Sequence, residues 1–106
     1  MEKATSINPA TEEQIASYER ITSKTAKEKV AKANEAHQSW KKTTFTERSN
    51  LMNKLADIFE ENKDEYAELA TQEMGKTLKQ SISEIEKCAK ICRYYADNIQ
   101  DLLADE

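Results

Sequence analysis

Glycine is nearly missing from this chain of 106 residues; Gly75 stands alone. Loops that cradle phosphate need several glycines, because backbone N–H groups must approach the anion with no Cβ in the way. A dinucleotide fingerprint and a P-loop are therefore excluded within these residues. Proline is as scarce, with Pro9 alone, and so few turn formers argue against a turn-rich β architecture. Histidine is represented by His37, and cysteine by Cys88 and Cys92. A closed zinc site needs about four ligands, and His37 lies far from both cysteines in sequence, so no metal site is expected. No apolar run approaches the roughly 20 residues of a membrane helix. The opening Met1-Glu-Lys-Ala-Thr-Ser6 lacks the apolar core of a signal peptide. The expectation is a cytoplasmic protein with no membrane partner. Lys plus Arg number 16 and Asp plus Glu 20, a net charge of −4, which offers no attraction to nucleic acid.

What is present is charge and period. Hydrophobic residues make up 38% and charged residues 34%, with a mean hydropathy of −0.88. That balance is polar for a self-contained globule, yet the patterning is too regular for a disordered chain. The length allows one small domain at most.

The strongest pattern lies in the C-terminal part. Leu78, Ile82, Ile85, Ala89, Cys92, Ala96, Ile99 and Leu103 recur at spacings of four and three, the period of one helical face. Cys88, Ile91, Tyr95 and Leu102 widen the stripe. This predicts a long helix whose broad apolar face must be buried against something. Three helices are predicted before it. Thr25-Ala-Lys-Glu28 has the form of a capping box, followed by Ala26, Val30, Ala33, His37 and Trp40 at helical spacing. Thr44-Phe-Thr-Glu47 is a second such box, ahead of Leu51, Leu55, Ile58 and Phe59. Asn62-Lys-Asp-Glu65 is a candidate cap for a third helix carrying Tyr66, Leu69, Ala70 and Met74. Gly75 suits its end, since the left-handed conformation costs glycine nothing. Thr77 with Gln80 caps the long fourth helix. Ahead of all of these, residues 4–21 are rich in Thr, Ile, Ser and Tyr around Asn8-Pro9, a turn initiator. They predict a two-stranded hairpin, which is marginal alone and needs a partner surface. The fold expected is mainly α, with an N-terminal β-hairpin at 4–21 and about four helices over 25–106, the last one long.

None of the reactive side chains forms a convincing active site. Cys88 and Cys92 stand at i and i+4 of one helix, poorly aimed for a disulfide, and fit best as small apolar residues on a buried face. His37 shares a face with Val30 and Trp40, where a structural histidine is expected. A Cys–His dyad would need a third, orienting group, and the sequence marks none. Trp40, Tyr66, Tyr94 and Tyr95 fit core or rim positions. Glu60, Glu61, Asp64 and Glu65 alternate with lysines as a solvated helix face does.

Five stretches, in order, carry a resemblance. Ile7-Asn-Pro-Ala-Thr11 with Glu13, Trp40 at the end of the first helix, Glu47-Arg48 with Leu51, Leu55 and Ala56, Leu69-Ala-Thr-Gln-Glu-Met-Gly-Lys76, and Glu84-Ile-Glu-Lys-Cys-Ala89 with Tyr94-Tyr95-Ala96 resemble the opening of the aldehyde dehydrogenase superfamily. The Glu-Met-Gly-Lys and Glu-Lys-Cys-Ala wording is most similar to its succinate-semialdehyde dehydrogenase branch. One departure is Glu12, where the family usually has Gly.

The resemblance implies that residues 1–106 are a single segment, the N-terminal part of the cofactor-binding domain of an α/β dehydrogenase. It implies an oxidoreductase that turns a small aldehyde, most similarly succinate semialdehyde, into its acid with NAD or NADP. In such enzymes a Cys attacks the aldehyde, hydride passes to the nicotinamide, and a Glu-activated water releases the acid. Those residues lie downstream in family order. No catalytic residue and no cofactor-binding residue is therefore expected within 1–106, and no NAD(P) is expected on this segment alone. The partners implied are the remainder of the same polypeptide and further copies in a homo-oligomer. The long helix passes near the substrate tunnel in the family, which makes Lys87 and Ile91 candidates for the tunnel wall. The alternative is a free-standing helical interaction module that self-associates through the 78–103 apolar face.

Overall fold

The structure is a computed structural model and describes residues 2–105. Strands β1 (Lys3–Ile7) and β2 (Gln14–Glu19) precede helices α1 (Ser23–Trp40), α2 (Phe45–Glu61), α3 (Lys63–Met74) and α4 (Leu78–Leu102). The mainly helical fold with an N-terminal hairpin expected from the sequence is the one observed.

The hairpin is antiparallel, pairing Lys3 with Glu19 and Ser6 with Ala16, and its register shifts between Ser6 and Ile7. Asn8 builds the turn. Its side-chain Oδ1 accepts from the Ala10 and Thr11 amides at 2.9 and 3.3 Å, and its carbonyl accepts from the Glu12 amide at 2.8 Å. Glu12 has φ 64, the left-handed region that suits glycine. The position where the family usually carries Gly is thus the one position in the turn that a side chain strains.

One predicted helix start is moved, and one keeps its place without the expected side-chain bond. Thr22, not Thr25, caps α1 by accepting from the Thr25 amide. Thr25 itself lies inside the first turn, so the Thr25–Glu28 pattern is an ordinary helical spacing. Asn62 makes no side-chain cap on α3; its amide instead donates to the Ile58 carbonyl at 3.0 Å and closes α2. Both predicted boxes that remain are formed, Thr44 with Glu47 and Thr77 with Gln80. Gly75 ends α3 in the left-handed conformation, φ 71.

The core lies where α2 and α3 pack on α4. Its buried members are small: Ala56, Ala67, Ala89, Cys92, Ala96 and Ser81. Met52 and Phe59 close over Ala56, Ala89 and Cys92. Small residues at the crossing let the helix backbones come close, and the larger side chains fan out at the rim. Ser81 is fully buried and bonded to the Thr71 hydroxyl at 2.8 Å, so its polar group has a partner. The centre of the 78–103 stripe is therefore covered by α2 and α3 of the same chain. Its ends, Leu78 and Leu103, stay exposed.

Two elements stand apart from this core. Helix α1 holds no buried residue. Its C-terminal turn is tied down by Arg48, whose guanidinium sits 5.5 Å from the Trp40 ring centre and donates to the Trp40 carbonyl at 3.1 Å and the Thr43 hydroxyl at 2.8 Å. The hairpin meets the body through Ser6, which donates to Glu73 at 3.1 Å. Pro9 also covers Gly75, where a Cβ would come 3.0 Å from the proline Cγ.

Candidate functional site

Helix α4 has two faces of different chemistry. Ala89, Cys92 and Ala96 point inward and are buried. On the opposite side Ser83, Glu86, Lys87, Lys90, Ile91, Tyr94 and Tyr95 line an open groove of about 630 Å3. Its floor is apolar and exposed: Ile91 is 44% exposed and Tyr94 54%. The Tyr94 and Tyr95 rings meet edge to face at 5.4 Å, a favoured aromatic pairing. Glu86 is held aside by Lys63 at 3.2 Å. Lys87 and Lys90 enter no ion pair among the described residues. The groove thus offers two ammonium groups beside an aromatic and aliphatic floor, the chemistry that receives an anion with an apolar stem.

A second, narrower groove of about 290 Å3 lies at the other end of the bundle. Trp40, Phe45, Leu51, Met52, Ile99 and Leu103 are among its walls. It has almost no polar lining and no titratable group beyond Arg48 and Tyr95, so it offers packing and no chemistry.

The side chains singled out in the sequence fall in separate places. Lys87 and Ile91 share the α4 groove. Cys92 is buried and Cys88 is exposed on another flank of the same helix. His37 is exposed on α1, beside Trp40 and Thr43, whereas Cys92 packs against Ala56 of α2. The structure does not bring these groups together as a dyad. No cluster of three or more metal-ligating side chains occurs among the described residues. Two features were not visible in the sequence. Tyr94 lines the groove rather than the core, a placement signalled only by its helical phase with Lys87 and Ile91. Arg93 forks across to α2, donating to Asp57 at 2.8 Å and Glu60 at 2.9 Å. The bond to Asp57 first, and that to Glu60 second, raises the guanidinium above its ordinary value, so its positive charge is fixed at every working pH.

No glycine-rich loop of the phosphate-cradling kind occurs in the sequence. The only glycine is turned under Pro9, and its backbone N–H is used by the Thr71 carbonyl at 3.0 Å.

The fold and its motifs define a class. The signature of the Aldehyde dehydrogenase family matches residues 1–106. The chain belongs to that family, and its place there is the N-terminal segment. It is 41% identical over 100 residues to a probable succinate-semialdehyde dehydrogenase [NADP(+)] of Synechocystis sp., covering 94% of this chain and 22% of that protein. It is equally similar, 41% over 100 residues with the same coverage, to the succinate-semialdehyde dehydrogenase [NADP(+)] of Mycobacterium leprae. Among solved structures, succinic semialdehyde dehydrogenase from Streptococcus pyogenes in complex with NADP+ superposes with a TM-score of 0.87 at 29% identity, over 94% of this chain and 22% of that one. The NADP-dependent glyceraldehyde-3-phosphate dehydrogenase of Bacillus halodurans superposes with a TM-score of 0.88 at 29% identity, over 92% and 20%. The chain thus spans about a fifth of the length of the relatives it matches.

Proposed function

We propose that residues 1–106 form the N-terminal part of the cofactor-binding domain of an aldehyde dehydrogenase that oxidises succinate semialdehyde to succinate with NADP or NAD. The remainder of the polypeptide supplies the nucleophile and the cofactor site, and the enzyme works as a homo-oligomer. The observation that carries this reading is the 41% identity, over 94% of the chain, to relatives named for that activity. The α4 groove forms part of the substrate tunnel wall, with Ile91 facing the aldehyde's carbon chain. Lys87 attracts its carboxylate, a charge that a neutral aldehyde lacks. The 106-residue chain alone performs no step of the reaction.

The test begins with the native protein, captured from its cell with an antibody against this segment. A band several times heavier than 12.1 kDa that reduces NADP or NAD when given succinate semialdehyde is the expected result. In that protein Lys87→Gln raises KM for succinate semialdehyde several-fold and leaves KM for a neutral aldehyde of similar length nearly unchanged. A heavy band inactive on this substrate refutes the substrate assignment. A band at 12.1 kDa with no heavier species refutes the catalytic reading itself.

A further inference from the structure

We infer that Lys63 of α3 is a specificity-determining residue for the anionic substrate. By holding Glu86, it stops a carboxylate in the α4 groove from cancelling the charge of Lys87 and Lys90. This role rests on the reading of the groove as substrate tunnel wall.

The groove contains a carboxylate of the wrong sign for an anion. Glu86 lines it together with Lys87, Lys90, Ile91 and Tyr94. Lys90 follows Glu86 by four positions, with the acid nearer the helix start, which is the order that pairs best along a helix. On α4 alone, Glu86 would close on Lys90 and neutralise one of the two ammonium groups. The structure shows a different pairing. Lys63 Nζ donates to Glu86 Oε1 at 3.2 Å, across 23 positions of sequence, and Lys90 enters no ion pair among the described residues.

The place of Lys63 in its own helix supports the same role. It is the first residue of α3, directly after the N-cap Asn62. The positive end of the helix dipole lies there and disfavours a cation, whereas Asp64 and Glu65 in the same turn suit it. A lysine at this position therefore does not stabilise α3 by itself. Its ammonium finds its partner only by reaching across to α4.

The consequence is electrostatic. Paired, Lys63 and Glu86 form a near-neutral unit, and Lys87 with Lys90 gives the groove its positive potential. Released, Glu86 removes half of that charge and repels an incoming carboxylate. Lys63 acts through Glu86 and lines no part of the groove, so an uncharged aldehyde does not sense it.

The test is a double-mutant cycle on the intact enzyme that carries this segment. Its substrates are succinate semialdehyde and butanal, which has a methyl group in place of the carboxylate. Lys63→Gln is expected to raise KM for succinate semialdehyde about two- to fivefold, the reach of a partly exposed charge, with kcat and the KM for butanal nearly unchanged. Lys63→Arg, which keeps the charge, is expected to behave as wild type. Lys63→Gln/Glu86→Gln is expected to bring KM for succinate semialdehyde back to near the wild-type value, because the carboxylate that Lys63 restrained is gone. An unchanged KM in Lys63→Gln overturns the inference. So does a rise for both substrates, which a loosened contact between α3 and α4 would give, and so does a rise that Glu86→Gln fails to rescue. Lys87→Gln separates this role from the reading beneath it. If Lys87→Gln raises KM for succinate semialdehyde and Lys63→Gln does not, the tunnel wall stands and the role of Lys63 falls; if neither does, both fall.

Discussion

Among the described residues, Glu12 and Gly75 are the two whose backbone lies in the left-handed region, and they behave oppositely. A side chain there costs about 1–2 kcal/mol through contact between Cβ and the carbonyl oxygen. Glycine avoids that cost but loses about 0.5–1 kcal/mol to extra freedom in the unfolded chain. At Glu12 strain exceeds the entropy difference, so Glu12→Gly is expected to raise the unfolding free energy by about 0.5–1 kcal/mol in urea titration. At Gly75 a Cβ would be strained and would also press on Pro9 Cγ at 3.0 Å. Gly75→Ala is expected to destabilise by about 1–2 kcal/mol and to loosen the hairpin from the body. Faster amide exchange at Ser6 and Ile7 in that variant would report the loosening. A Gly75→Ala chain as stable as wild type would show that Pro9 does not seat on it.

Among the elements, α2 and α4 each have a start fixed by a capping box and an inner face fixed by buried small residues. Thr77 accepts from the Gln80 amide at 3.2 Å, and Gln80 accepts from the Thr77 amide at 3.3 Å. Thr77→Ala is expected to cost about 1 kcal/mol, the usual worth of such a cap, and Thr44→Ala a similar amount at α2. The inner face is sensitive to volume. Ala89 is 1% exposed at the crossing with α2, so Ala89→Leu is expected to cost about 1–3 kcal/mol by forcing the helices apart. The same change at Ile91, on the outer face, is expected to leave stability within about 0.5 kcal/mol. Equal effects at the two positions would mean that the phase of α4 is wrong. These elements were legible in the sequence because capping boxes and apolar period are local signals. The α1 start was misplaced for the same reason: Thr22 and Thr25 stand three apart, and only the backbone at Thr22, extended at ψ 162, distinguishes the cap from the first turn.

At the scale of the whole molecule the chain is open. Its radius of gyration is 18.2 Å, against about 13 Å for a compact domain of 100 residues. The excess comes from α1 and the hairpin, which extend from the α2–α3–α4 body. Solution scattering on dilute chain is expected to give a value near 18.2 Å; one near about 13 Å would mean that α1 folds back onto the body. Amides in the middle of α1 are expected to exchange at least tenfold faster than those around Ala89, because α1 buries no side chain and can open locally. Val30, Trp40, Leu51, Ile58 and Leu69 are all exposed, much apolar area for 106 residues. Such a surface is normal for a segment that packs on more protein, and it binds hydrophobic dyes when bare.

The sequence by itself determined the elements and the family. Helical period, caps and the lone glycine are written in neighbouring residues, and the ordered motifs from Ile7 to Ala96 need no coordinates to match. The tertiary structure alone decided which face of α4 is spent and which is free. Period places Cys92 and Ile91 on one widened stripe, but α2 approaches from one side only, and its Ala56 takes Cys92 into the core while Ile91 is left in the groove with Lys87 and Tyr94. That choice depends on contacts between residues more than thirty positions apart, and no local pattern encodes from which side they come.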